Sequence, residues 1–227
     1  MFPIFYQRSR ELFHQLDSLN AVRHYLEPLE EHHPDSRLHC RRVGLLAIDM
    51  GHSLGLSQPE IYELGLAAML HDVGKKGVSY CLLEKDGKPT EAEWQAIKAH
   101  VRLGFRELRQ SNALPERVSR IVVRHHEHQG ERSYPRNGRD RRQIPRQIQE
   151  RRKRDLVVDG LSAALAAADV YDALCSPRAY KPGFPVEKVS HILHEEYTGG
   201  KHYVHEVLRR STPMSGLILP YELFGHN

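Results

Sequence analysis

The chain has 227 residues, 40% hydrophobic and 27% charged. Those are ordinary globular proportions, and the length can bury a core without disulfides or a structural metal; collagen-like, mucin-like and wholly disordered chains are excluded. The formal charge is +4, of which +7 falls between Arg136 and Arg154, leaving the remainder slightly acidic.

In chain order, Phe5 to His32 reads as one or two amphipathic helices, a helical extension over residues 1–34. Asp35-Ser36 can cap the next helix, which carries Val43, Leu45, Leu46 and Ile48 and stops near Gly51 or Gly55. Ser57 with Glu60 is a capping box with Pro59 in the first turn, and that helix ends at His71-Asp72-Val73-Gly74. A second capping box, Thr90 with Glu93, opens a helix reaching about Leu108. Pro115 opens another, ending in His125-His126-Glu127. The Ala-rich stretch Leu161 to Leu174 predicts a buried helix, followed by helices over Pro185 to Tyr197 and His202 to Arg210. No alternating run of strand length occurs. The expectation is an all-α, single-domain bundle of about nine helices over residues 35–227, with a basic insertion at about 136–158.

The longest apolar stretches, Leu64 to Leu70 and Leu161 to Ala168, fall far short of the ~20 residues that span a bilayer. The N-terminus, MFPIFYQRSRELF, shows no charged leader before an apolar core, so no signal peptide is expected. Three isolated cysteines, Cys40, Cys81 and Cys175, form no CxxC pair; they read as small buried hydrophobes in a reducing, cytoplasmic setting. The basic run fits a solvated loop, and it also fits a collar attracting phosphates or nucleic acid. It contains no aromatic residue, so a base-stacking platform is not expected there. Leu217 to Leu219 is apolar enough to pack on the domain or on a second copy in a homodimer.

Sixteen residues are histidine, the commonest metal ligand. The informative set is His39, His71-Asp72, His100, His125-His126 and Asp169, each on or at the end of a predicted helix. Imidazole and carboxylate donors without thiolate suit Fe, Mn, Ni or Zn. A carboxylate has two oxygens and can bridge two ions, and two metals can hold a hydroxide between them for an in-line phosphoryl displacement. His14, His24, His32, His33, His52, His191, His194, His202, His205 and His226 are scattered over polar positions and read as surface residues, whereas His128, two residues past His126, could face the same cavity.

These motifs resemble the HD superfamily of metal-dependent phosphohydrolases, and more closely its HD-GYP subfamily, whose activity is hydrolysis of the bacterial messenger cyclic di-GMP. His39 with Arg42-Val43 matches the subfamily's first histidine and its Arg-Val. Leu70 to Lys75 matches LHDxGK, Leu83 to Glu93 the following loop and helix start, His100 with Gly104 HxxxG, and His125-His126-Glu127 HHE. Tyr134-Pro135 stands where the last two letters of GYP are found. Asp169 to Leu174, then Ser176, Arg178 and Tyr180, follows DxYDALxSxRxY. The likeness runs from about residue 35 to about residue 195.

The resemblance implies one metal held by His39, His71, Asp72 and Asp169, and a second held by His100, His125 and His126 with Asp72 as bridge. Iron or manganese is expected first, nickel or zinc as alternatives. Asp35, one turn before His39, matches a carboxylate serving a third metal in some members, and is equally a helix N-cap. Lys75 would offset phosphate charge, with Asp72 and Lys75 the catalytic pair; Tyr134, Arg178 and Lys181 match contacts to the ligand's phosphates or guanines. The chain departs from the pattern where the GYP glycine is Ser133, where Gly130-Glu131 replaces Asp-Gly, and between Pro145 and Asp169, where about fourteen extra residues lie. Only about 34 residues precede the likeness, so no fused sensor domain is expected within this chain. Cyclic di-GMP hydrolysis is the leading expectation. Hydrolysis of another nucleotide or phosphoester, and a catalytically silent nucleotide sensor, are the alternatives.

Overall fold

The structure, a computed structural model, describes residues 4–127, 134, 155–176, 183–195, 197 and 200–211. Among these are ten α-helices, one 3-10 turn and no strand: α1 (Ile4–Asp17), α2 (Asn20–His32), α3 (Pro34–Ser53), α4 (Gln58–Leu70), the 3-10 turn (Val73–Gly77), α5 (Tyr80–Leu83), α6 (Glu91–Arg109), α7 (Glu116–Val122), α8 (Leu156–Cys175), α9 (Val186–Glu195) and α10 (Lys201–Ser211). No described helix is long and apolar enough to cross a membrane.

Local chemistry sets most of the helix starts. At α4 the Glu60 carboxylate accepts from the Ser57 N–H at 2.9 Å, and at α6 Glu93 accepts from Thr90 N–H at 2.7 Å, so both capping boxes close as the spacing predicts. The start of α3 differs. His33 is its N-cap, its Nδ1 accepting from Ser36 N–H at 3.1 Å, with Pro34 in the first turn; Asp35 is therefore inside the helix. The helix runs through Gly51 and ends before Gly55, whose φ of 69° is open to a residue without Cβ. α8 begins five residues before the predicted Leu161, because Asp155 caps it by accepting from Val158 N–H.

Helices α4 and α8 form the centre. On α4 every residue from Leu64 to Leu70 is buried, and on α8 every residue from Leu161 to Asp169, as expected for helices surrounded on all sides. α3 packs along α4 and α8, and α7 wedges against α4, α6 and α8. α1 and α2 cover α3 and α4; their Phe13, Leu16, Val22, Leu26 and Leu29 join the same apolar cluster as Leu46, Ile48, Leu66 and Leu165. Helices α1 and α2 thus share the core of the domain. The 3-10 turn lies against α6, where Gly74 meets the backbone of His100 and Gly104 so closely that no Cβ fits.

Candidate metal centre

Four helices deliver five of the seven clustered donors. His39 comes from mid-α3, His71 and Asp72 from the chain as it leaves α4, His100 from α6, and Asp169 from α8. His125 and His126 do not lie on a helix: α7 ends at Val122, and a turn closed by Glu127 N–H to the Arg124 carbonyl carries them. His71, Asp72, His100, His125 and Asp169 are buried, and His39 is 14% exposed. All seven sequence-derived ligand candidates therefore meet in one place.

Their arrangement has two halves. His39, His71 and Asp169 can converge on one ion, and His100, His125 and His126 on another. Asp72 stands between them. Its Oδ2 faces His71 Nε2 at 3.4 Å and His39 Nε2 at 3.8 Å, while Oδ1 faces His100 Nε2 at 3.2 Å. Lys75 Nζ also reaches Asp72 Oδ2, at 2.5 Å.

The imidazoles are held in one orientation by hydrogen bonds behind them. His71, His100 and His125 each donate from Nδ1 to the carbonyl three residues earlier, Ala68 at 2.8 Å, Ile97 at 2.7 Å and Val122 at 2.6 Å. A carbonyl only accepts, so Nδ1 carries the hydrogen and Nε2 is the nitrogen turned to the cluster. His39 Nδ1 donates to Asp172 Oδ2 at 2.7 Å, leaving Nε2 3.0 Å from Asp169 Oδ1. Asp172 is itself gripped by both arms of Arg42, at 2.8 and 2.9 Å, and by Ser176 Oγ at 3.1 Å. The motif reading named Arg42 and Asp172 without giving them this role. The available signal was their spacing: Arg42 follows His39 by three residues on α3, and Asp172 follows Asp169 by three on α8.

The electrostatics separate the halves. Burial opposes charge on Asp72, but Lys75 first and His71 next hold its carboxyl well below the usual range. Burial likewise opposes charge on Asp169, and the hydrogen bond from His39 with the nearby His71 brings it well down. Burial would lower His39, yet its hydrogen bonds to Asp169 and Asp172 raise it; His71 is raised well above an ordinary imidazole, chiefly by the Asp72 charge acting against burial. On the other side burial dominates, lowering His100, His125 strongly, and His126 to about 3. That half is three neutral imidazoles.

The donor set fits divalent metal ions. His71 Nε2, His100 Nε2, His125 Nε2 and His126 Nδ1 are buried without a hydrogen-bond partner, although buried polar nitrogens are ordinarily satisfied. Four such atoms converging around two carboxylates are what bound cations would satisfy. Cys40 Sγ lies 4.0 Å from His71, but on the Nδ1 side that already bonds Ala68, and imidazole–carboxylate donors match Fe, Mn, Ni or Zn.

Above the centre opens a cavity of about 420 Å³. His39, Asp72, His100, His126 and Asp169 line it, with Lys75, Tyr134 and the rim residue Asp35. Tyr134 is buried and stacks on His126 at 4.4 Å between ring centres; burial first, then the charges of Asp72 and Asp169, push its phenol upward and keep it un-ionised. His33, expected on the surface, is instead buried beside the cavity, where its Nε2 pairs with Glu84 at 2.7 Å. That partner lies fifty-one residues away, beyond any local pattern. Cys81 is exposed where a buried side chain was expected. Trp94 also lines the cavity and was not singled out from sequence. Arg178, Lys181, His128, the basic run Arg136 to Arg154 and Leu217 to Leu219 lie outside the described residues.

Comparison with known proteins shows what the chain is similar to. The chain is 34% identical over 198 residues to a cyclic di-GMP phosphodiesterase of Thermotoga maritima, covering 87% of this chain and 48% of that protein. It is 30% identical over 159 residues to 3'3'-cGAMP-specific phosphodiesterase 3 of Vibrio cholerae, covering 69% and 31%, and 33% identical over 147 residues to cyclic di-GMP phosphodiesterase PA4108 of Pseudomonas aeruginosa, covering 65% and 32%. The chain thus spans between 31% and 48% of these relatives' lengths. Its fold is shared with the HD domain of the L. monocytogenes phosphodiesterase PgpH in complex with cyclic-di-AMP, at a TM-score of 0.56 and 16% identity over 87% of this chain and 97% of that one. Residues 38–174, which span every clustered His and Asp described above, match the HD domain, and the chain belongs to the HD domain family.

Proposed function

We propose that this chain is a metal-dependent phosphodiesterase that hydrolyses a cyclic dinucleotide, with cyclic di-GMP as its first candidate substrate. The observation that carries the reading is the division of Asp72, one oxygen toward His39 and His71 and the other toward His100. One ion would be held by His39, His71, Asp72 and Asp169, the other by Asp72, His100, His125 and His126. Such ions activate a water nucleophile and neutralise charge developing on a phosphoryl group.

The chain's own groups prepare the site. Three backbone carbonyls and the Arg42–Asp172 pair fix which imidazole nitrogen faces inward. Lys75 places a cation beside Asp72, where it offsets phosphate charge. Tyr134 closes one side as a neutral hydroxyl able to donate to a phosphate or a base. Asp35 lines the same cavity and by resemblance would be the residue to hold a third ion, while Arg178 and Lys181 are assigned by resemblance to the ligand's phosphates or guanines. Relatives named for cyclic di-GMP and for 3'3'-cGAMP share this level of identity, and the departures from the subfamily pattern at Gly130-Glu131 and Ser133 leave the choice between them to experiment.

The test is anaerobic purification followed by incubation with cyclic di-GMP, 3'3'-cGAMP, cyclic di-AMP and a linear dinucleotide, with products separated by chromatography. Turnover of a cyclic dinucleotide supports the proposal, and which one is cleaved sets the substrate. Turnover only of the linear dinucleotide, or tight binding without turnover, overturns it in favour of another phosphohydrolase or a silent sensor.

A further inference from the structure

Trp94 is the chain's only tryptophan, and it stands on the wall of the cavity above the centre, half-buried, on the second turn of α6. Half-buried indoles on a cavity wall offer a flat apolar face that solvent covers poorly. The surroundings hold this one in place. Tyr134 meets it edge-on at 6.1 Å between ring centres, with planes at 76°. Lys98, one helical turn on, sets its ammonium 5.8 Å from the Trp94 ring and 5.9 Å from the Tyr134 ring, within cation–π range of both. Tyr134 in turn stacks on His126. A continuous aromatic wall therefore runs from the histidine cluster to Trp94. Among the other residues lining the cavity, Leu83, Ile97, Leu38 and Val170 are aliphatic, and no second tryptophan exists to share the role.

We infer that Trp94 is the stacking platform for one nucleobase of the substrate, and that it selects nucleotides over base-free phosphodiesters without discriminating between guanine and adenine. The inference deepens the proposed function and rests on that reading. Its physical basis is that every base has a π-face, so stacking on an indole adds affinity in a sequence-tolerant way. Choice between bases needs hydrogen-bonding groups at their edges, which an indole face does not supply. Trp94 thus accounts for the binding of a base, and the identity of the base is left to polar groups elsewhere.

The single tryptophan makes the test direct, because all indole emission comes from the proposed platform. Metal-loaded full-length protein is titrated with GMP, AMP and ribose 5-phosphate, none of which contains the diester that would be cleaved. GMP and AMP should quench the emission with midpoints within about fivefold of each other, and ribose 5-phosphate should leave it unchanged. By calorimetry, Trp94→Ala should weaken GMP roughly ten- to hundredfold, the loss expected for one base–aromatic stack, while Trp94→Phe keeps most of the affinity. GMP bound by calorimetry with unaltered emission, or Trp94→Ala binding as tightly as the native chain, overturns the inference; if the alanine variant does not fold, the quenching and the phenylalanine variant still decide. Failure of the functional reading looks different. A native chain that is quenched by GMP yet cleaves no cyclic dinucleotide loses the hydrolase and keeps the platform, whereas turnover without quenching loses only the platform.

Discussion

Gly74→Ala probes how rigidly the 3-10 turn is held against the helix that carries His100. A methyl carbon at this position would stand 1.9 Å from the His100 carbonyl oxygen and 2.5 Å from Gly104 N. The first contact is more than about 1 Å too close for any real carbon–oxygen pair, and both obstacles are backbone, so no rotamer relieves them. Overpacking against movable side chains costs about 1–3 kcal/mol; with the α6 backbone as the obstacle the loss should reach at least the top of that range. Because a helix displaced by about 1 Å takes His100 with it, and metal–ligand distances tolerate only about 0.2 Å, metal retention should fall together with stability. Urea unfolding is the assay. With a slope of about 1–3 kcal/mol per molar, the midpoint should drop by about 1 M or more, and the purified variant should hold less metal. Gly77→Ala is the control, since its Cβ would meet only the Leu103 side chain and should cost clearly less. A Gly74→Ala protein with native midpoint and native metal content would refute the reasoning.

Three further perturbations follow from other contacts. Asp172→Asn removes the charged acceptor behind His39 and should weaken metal affinity about 10- to 100-fold, the usual cost of losing such a partner, measured by competition with a chromogenic chelator; unchanged affinity would mean that Arg42 and Asp172 serve packing alone. Leu66→Ala, at a fully buried position in the core, should lose about 2–5 kcal/mol in urea unfolding, and a loss under 1 kcal/mol would mean the site collapses around the gap. Glu93 is lowered to about 2 by Lys85 first and by Thr90; a lowered carboxylate stabilises the fold above its unfolded value near 4.5 and loses that contribution as pH falls toward 2. The stability gap between native and Glu93→Gln chains should therefore be widest near neutral pH and narrow below about 4.5, and a gap independent of pH would count against the capping role.

The parts of the molecule legible from sequence are those fixed by short-range spacing. Both capping boxes depend on groups three residues apart, and the buried helix α8 announces itself by apolar residues on every face. The donor cluster was legible because each donor sits in a local motif, even though only the fold brings His39 to Asp169 across 130 positions. What escaped depends on distant partners. His33 looks like any polar helix-end histidine until Glu84 is brought beside it, and the placement of Trp94 on the cavity wall follows from how α6 packs on the 3-10 turn. The end of α7 is not legible in sequence, because HHE continues the helical spacing, whereas the chain leaves the helix at Val122 and uses the turn to aim two adjacent imidazoles inward.

The central claim, that Asp72 joins the two halves of the centre, is tested most directly by measuring metal content and cyclic di-GMP turnover side by side in the native chain and in Asp72→Asn. Thermal unfolding of both would confirm that each is folded. The expected result is about two ions per native chain, with metal content and turnover falling together in the variant. An Asp72→Asn protein that keeps native metal content and native turnover would contradict it.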